Sequence, residues 1–185
     1  INTYFQKHRK PSPFKPFKAN TPIPLAKFVN RNQSQSEPVI NPVSPEILQG
    51  EINQLSSEQH LLENGDFDVF IAESSQIPNL LNEIGRLREI TFREVQEGTG
   101  KSIDLDRFDS YYRHLFLWNR KKKILIGAYR LGLTDQILDV YGTKGLYSSE
   151  LFHYKYEFVH RLQTAVEFGR SFIRSEYQKK FNSLM

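Results

Sequence analysis

Two stretches of this chain set charges where the surrounding pattern asks for apolar residues. Ala165-Val-Glu-Phe-Gly-Arg-Ser-Phe-Ile-Arg174 reads as a strand, and Gly85-Arg-Leu-Arg-Glu-Ile-Thr-Phe-Arg93 as the interior of a helix. Burying Glu167 or Arg170 without a partner costs several kcal/mol. The fold must therefore bring such charges to one another or to a polar ligand.

Local patterns supply the frame. Ser44-Pro-Glu-Ile47 has a capping serine followed by proline at the first helical position, which predicts a short helix running to about residue 62 and ending at Asn64-Gly65. Asp66–Ala72 alternates like a strand. Residues 76–96 carry a helical stripe of Ile77, Leu80, Leu81, Ile84, Leu87, Ile90 and Val95, and 97–110 read as a loop. Tyr112–Trp118 and Lys123–Leu133 form a predicted hairpin around Asn119–Lys122. Short helices over 135–141 and 149–162, a strand over 163–174 and a helix opening at Ser175 complete the series. This order describes an α/β (α+β) sheet domain.

Composition narrows the chemistry. The chain has no cysteine, which excludes disulfides, thiolate metal sites and a cysteine nucleophile; a reducing cytoplasm is compatible with this. No apolar run approaches the roughly 18 residues of a bilayer span, and no signal-peptide core is present. The formal charge of +4 is uneven: residues 1–36 hold seven basic and no acidic residues, and the remainder carries a net −3. Residues 1–45 are rich in proline, lacking periodicity, and read as an extended basic linker. Phe5, Phe14, Phe17 and Phe28 interleave with its lysines. That pattern suits a solvated tether or a contact of residues 1–36 with an anionic membrane, each cation contributing about 1 kcal/mol near the surface. Nothing else in the chain supports nucleic acid.

The polar residues have several readings. Arg88 and Phe92 share a helix face, whereas Arg86 and Arg93 point elsewhere and are expected in solvent. Asp104, Asp106 and Asp109 lack the spacing of a calcium loop, so pairing with arginine is preferred to a metal. Gly127-Ala-Tyr-Arg130 occupies the second hairpin strand, with Gly127 marking a bulge or a close approach. Glu167 and Arg170, three apart, fall on opposite faces of a regular strand. A bulge at Phe168-Gly169 brings them to one site. A structural ion-pair network accounts for the same residues equally well. His114, His153 and His160 have no metal-ligand spacing, and Gly98-Thr-Gly-Lys101 is spaced wrongly for a phosphate loop.

Glu83–Arg93, Glu97–Lys101, Asp104–Asp109, His114-Leu, Gly127–Arg130, Gly145–Tyr147 and Glu167–Phe172, in that order, resemble the ornithine-lipid and glycine-lipid N-acyltransferases, a hemolysin-like branch of the GNAT fold. The skeleton of Arg88 and Phe92, Asp106 and Asp109, Arg130, and Glu167 and Arg170 is also similar to acyl-homoserine-lactone synthases, which use S-adenosylmethionine. The tryptophan those synthases carry between helix and aspartate pair is absent, which favours the lipid-forming branch.

The resemblance implies an acyl thioester donor on acyl carrier protein or CoA, no permanently bound cofactor, an amino-acid acceptor, and a cytoplasmic location at or near the inner membrane face. Under it Glu167 serves as base and Gly169 opens a bulge whose N–H groups hold the oxyanion. Arg130 or Arg170 grips the acceptor carboxylate, and Arg88, Asp106 and Asp109 form an ion-pair lid. Phe92, Ser171 and Phe172 join the substrate-binding set. It also divides the chain into a linker (1–45, the tail of a preceding acyltransferase domain), a helical connector (46–65) and a partial GNAT-like domain (66–185). The absence of a further strand after the Ser175 helix leads to the expectation of a fragment, inactive alone.

Overall fold

The computed structural model describes residues 36–159, 162 and 165–178. The tether and membrane-contact readings of residues 1–36 fall, apart from Ser36, outside the described residues, as does His160.

Helix α1 (Pro45–Ile52) starts as its signature requires, with Ser44 Oγ accepting from Ile47 N. It stops ten residues earlier than predicted. A 3-10 turn at Ser57–Gln59 leads into a strand, β1 (His60–Asn64), which pairs antiparallel with β2 (Phe67–Glu73). Asn64-Gly65 is therefore a hairpin turn, with Gly65 at φ 59°, and the expected helical connector over 46–65 is half helix and half sheet edge.

Helix α2 (Pro78–Glu94) follows and its N-terminus is capped from α1: Glu51 accepts from Asn79 N (2.8 Å) and Leu80 N (2.7 Å). Strands β3 (Arg113–Asn119) and β4 (Ile124–Leu133) form the predicted hairpin. Helix α3 (Thr134–Tyr141) also matches. Two 3-10 turns, Thr143–Gly145 and Tyr147–Glu150, follow α3, and of the helix expected over 149–162 the described residues show only Tyr156–Val159 (α4) as helical. Strand β5 (Val166–Ile173) and α5 (Ser175–Gln178) end the described part.

The five strands lie in chain order, each antiparallel to the next. Phe70, Ala72, Phe116, Trp118, Ala128 and Phe172 project from one face onto Leu48 and Ile52 of α1 and Leu80, Ile84 and Leu87 of α2. A second apolar cluster gathers Phe108, Tyr112, Ile137 and Leu146. The end of the expected linker belongs to this unit: Glu37 N donates to Gly100 O (2.8 Å), Ile40 N to Ser102 O (3.0 Å), and Val43 N to Glu83 Oε2 (3.2 Å).

Candidate active site

The charged residues of α2, the 104–109 loop, β4 and β5 meet in one buried seam. Gly85 admits it: a Cβ there would stand 2.7 Å from Leu105 Cγ and 2.8 Å from Ile103 Cγ1, so the loop lies directly on α2 and Asp104 N donates to Gly85 O. Arg88, one turn on, donates through Nε to Asp104 Oδ2 (2.9 Å) and through Nη1 and Nη2 to the two oxygens of Asp109 (3.1 and 2.8 Å). Arg130 Nη1 donates to Asp106 Oδ1 (2.6 Å) and lies 3.3 Å from Asp109 Oδ2. Arg170 Nη1 donates to Asp104 Oδ2 (3.2 Å). Charges balance, and the side chains of Arg88 and Arg130 are each 1% exposed.

The spacing of three between Asp106 and Asp109 has a local cause. They cap the turn Arg107–Ser110 reciprocally, Phe108 N donating to Asp106 and Asp106 N to Asp109. Burial alone would raise the Asp109 pKa, but the Arg88 guanidinium, with Arg130 beside it, holds it below the ordinary aspartate value.

Strand β5 does carry a bulge, at Arg170-Ser171 and not at the expected Phe168-Gly169. Between the pairs Ala128↔Phe172 and Arg130↔Gly169, β5 has an extra residue, and Arg170 sits at φ 51°. Gly169 keeps negative or extended φ and a Cβ there would meet nothing within 4 Å, so its being glycine is not what makes the bulge. The bulge allows Glu167 and Arg170 to approach a common neighbour, Tyr147. The Cζ of Arg130 and that of Arg170 lie 5.1 and 5.6 Å from its ring. Its backbone N donates to Glu167 Oε2 at 3.1 Å.

Glu167 also accepts from Ser148 N (2.7 Å) and from the Tyr112 hydroxyl, which itself accepts from Tyr147 N. Burial, and then the hydrogen bond to Glu167, push the Tyr112 pKa far up. Residues 130, 167 and 170 thus converge, but through Tyr147, present in the sequence only as the end of the matching stretch Gly145–Tyr147, and through Tyr112, to which no site role was given.

Two buried donors of the seam, Arg130 Nη2 and Arg170 Nε, have no hydrogen-bond partner among the described residues. Arg86, expected in solvent, is instead buried and forked onto Glu83 (2.7 and 2.6 Å). Arg93 pairs with Glu89 at 2.7 Å. The buried carboxylate of Glu89 also takes Thr99 N (3.0 Å) and Gly100 N (2.9 Å), so the N–H groups of the Gly98–Lys101 loop already hold an internal anion. His114 is buried with Nε2 3.0 Å from Asp109 O. His153 is exposed. His60, Glu63 and Asp68 bring ligand atoms within 4.8 Å of one another, but Arg120 donates to Glu63 (2.7 Å) and Asp68 (3.0 Å) and stands where a cation would.

Beside the seam lies a groove of about 310 Å³, lined by Thr91, Phe92, Val95 and Glu97 from the end of α2, Ser171, Phe172 and Ile173 from β5, and Tyr129 and Gln178. It shares Tyr129, Phe172 and Ile173 with a smaller apolar cavity of about 150 Å³ beside Val69, Leu115 and Leu117. Of the predicted substrate-binding residues, Phe92, Ser171 and Phe172 border this groove, while Arg88, Asp106, Asp109 and Arg130 belong to the seam.

A mixed sheet-and-helix domain with a bulged strand and a largely apolar groove bordered by that bulge has the parts a group-transfer enzyme needs. Residues 87–185 match the family described as the acetyltransferase (GNAT) domain, and the chain belongs to that family. It is similar to the glycine N(alpha)-acyltransferase of Bacteroides thetaiotaomicron, 37% identical over 147 residues, covering 77% of this chain and 43% of that protein. The same-named protein of Phocaeicola vulgatus is 35% identical over 147 residues, covering 77% of this chain and 45% of its own length. The chain thus spans less than half the length of these relatives. No solved structure gives a significant match.

Proposed function

We propose that this domain catalyses N-acyl transfer, moving a fatty acyl group from a thioester on acyl carrier protein or CoA to the α-amine of an amino acid, glycine or ornithine, on the way to an aminolipid. The observation that carries this reading is the apolar groove between the end of α2 and the β5 bulge, in a GNAT-family sheet whose relatives are named for glycine N-acylation. The acyl chain lies along Phe92, Val95, Tyr129 and Ile173, with the smaller cavity beyond Tyr129 as room for its tail. At the bulge the extra residue leaves the ladder, and the freed N–H near Ser171 is the oxyanion donor.

Arg130, 1% exposed and tied to Asp106, cannot reach a substrate arriving from water. The grip on the acceptor carboxylate therefore passes to Arg170, whose side chain is 22% exposed. Glu167, its carboxylate taken up by three donors, acts by holding Tyr147 and Ser148 against the seam. Among the described residues no helix is long and apolar enough to cross a membrane. Contact of the basic residues 1–36 with an anionic surface is the way a lipid-forming domain of this kind stays near its product.

The test is incubation of the full-length protein with palmitoyl-CoA or palmitoyl-acyl carrier protein and glycine or ornithine, read by mass spectrometry. The expected product is the N-palmitoyl amino acid. Its absence with both donors and both acceptors rejects the proposal, and product formed only with S-adenosylmethionine reassigns the domain to the lactone synthases.

A further inference from the structure

Resting on the N-acyltransferase reading, we infer that Glu97 is the carboxylate that deprotonates the acceptor amine. Acidic side chains near the groove are otherwise engaged. Asp104, Asp106 and Asp109 are held by arginines, and Glu89 receives Arg93 and the 99–100 loop. Glu94 accepts from the Ser175 hydroxyl. Glu167 carries three donors and faces Tyr112, Tyr147 and Ser148. Glu97 is exposed, lines the groove together with Phe92 and Ser171, and its carboxylate takes part in none of the hydrogen bonds or ion pairs among the described residues.

Its position is built by the backbone. Helix α2 ends in a paired-turn cap in which Gln96 N donates to Arg93 O (3.0 Å) and Glu97 N to Phe92 O (2.8 Å). Gln96 occupies the left-handed region at φ 63°, where glycine is the usual residue. The cap turns the chain sharply after Val95, so that Glu97 lines the groove instead of continuing along the helix axis. Among the described residues it is the one formally charged side chain lining that otherwise apolar and neutral-polar groove.

The chemistry fits that placement. An amino acid arrives with its amine protonated and non-nucleophilic, and a lone carboxylate both attracts the ammonium and accepts a proton from it. The freed lone pair attacks the thioester carbonyl carbon, forming the C–N bond and an oxyanion. Collapse of the oxyanion breaks the C–S bond, and the departing sulfur takes up the second proton, released by the new amide nitrogen. The proton on Glu97 returns to water, leaving amide, thiol and one proton in solution.

Glu97→Gln in the full-length protein tests this, assayed with palmitoyl-CoA or palmitoyl-acyl carrier protein and two acceptors. Glycine requires deprotonation; hydroxylamine is already unprotonated at neutral pH. With glycine kcat should fall about 10²–10⁴-fold, the range of general-base catalysis, while the donor KM stays close to wild type. With hydroxylamine the variant should regain a rate near wild type. Glycine turnover within about threefold of wild type overturns the assignment, since a base contributes far more. Equal losses with both acceptors also overturn it, because they mark a structural role. A wild-type protein that acylates neither acceptor removes the N-acyltransferase reading and Glu97 with it, whereas an active wild type with an unimpaired variant removes Glu97 alone.

Discussion

The ionic seam and the groove are built from the same two elements and behave as opposites. Arg88 and Phe92 are one turn apart on α2, and Arg170 and Ser171 are neighbours on β5, yet one member of each pair lies in a closed lattice of guanidiniums and carboxylates and the other borders an open apolar channel. In the seam every carboxylate has an arginine; in the groove Glu97 has none among the described residues. The same residue types therefore do different work according to whether their charge is compensated. A compensated buried carboxylate is a poor base and a rigid anchor, and an uncompensated one at a channel wall is free for chemistry.

The sharpest way to break this contrast is Arg88→Ala. The variant strands Asp104 and Asp109, each only 2–3% exposed, with a single remaining arginine apiece. Removing one partner of a buried network typically costs about 3–5 kcal/mol, roughly a 10 °C drop in Tm for a domain of this size. Urea unfolding followed by circular dichroism reads it. A loss under about 1 kcal/mol would mean that the seam is as weakly coupled as a surface ion pair and is not a frame for the groove.

Acid tests the same seam more gently. The Asp109 pKa is depressed in the fold, because Arg88 and Arg130 outweigh the cost of burial. Its contribution is thus fully present above the unfolded aspartate value of about 3.9 and is lost as pH falls through the lower folded value. Glu89, depressed because donors from Thr99, Arg93 and Gly100 outweigh its burial, acts in the same direction. Buried His114, its pKa lowered by burial, already takes stability away as pH falls through the unfolded histidine value of about 6.5, and the carboxylates should add a further decline, read by urea titration, below about 4. In Arg88→Ala the acid slope should be shallower, and an unchanged slope would assign the acid sensitivity to groups outside the seam.

Much of the seam was legible in the residues. Arginines and aspartates inside apolar periodicity have to pair with each other or with a polar ligand, so the cost of burial pointed to an ion-pair network of these residues as one of two readings, beside a substrate site. The central hairpin and the bulged last strand followed from alternation and from the odd spacing of Glu167 and Arg170. What failed was local ambiguity. Leu55, Leu61 and Leu62 continue a helical-looking pattern after Pro45, and Asn64-Gly65 serves equally as a helix stop and a hairpin turn, so β1 was hidden. Tyr112 and Tyr147 were missed because a hydroxyl or a backbone N–H that meets Glu167 across more than fifty or about twenty residues leaves no spacing signature. The groove is non-local for the same reason, since its walls come from separate elements whose juxtaposition is created only by the sheet.

The smallest expected effects come from two glycines on either side of the β4–β5 seam, and they locate the bulge. At Gly127 a Cβ would stand 2.5 Å from Phe172 O, a backbone atom that cannot swing away. Gly127→Ala should cost about 1–3 kcal/mol by overpacking, and it should also raise the donor KM, because Phe172 lines the groove. At Gly169 the added methyl meets nothing, and φ lies outside the left-handed region. Gly169→Ala should change stability by less than about 1 kcal/mol, with stabilisation the favoured sign because the unfolded chain loses freedom. Urea unfolding of the two variants side by side distinguishes the cases. A loss of about 2 kcal/mol or more at Gly169 would return the bulge to the glycine, and Arg170 would then owe its left-handed backbone to its neighbour rather than to its own position in the ladder. A neutral Gly169→Ala leaves the distortion with Arg170, where the guanidinium's bonds to Asp104 hold an arginine in a conformation costing about 1–2 kcal/mol. The seam then shapes the groove directly, because the residue that closes one is the residue that kinks the strand lining the other.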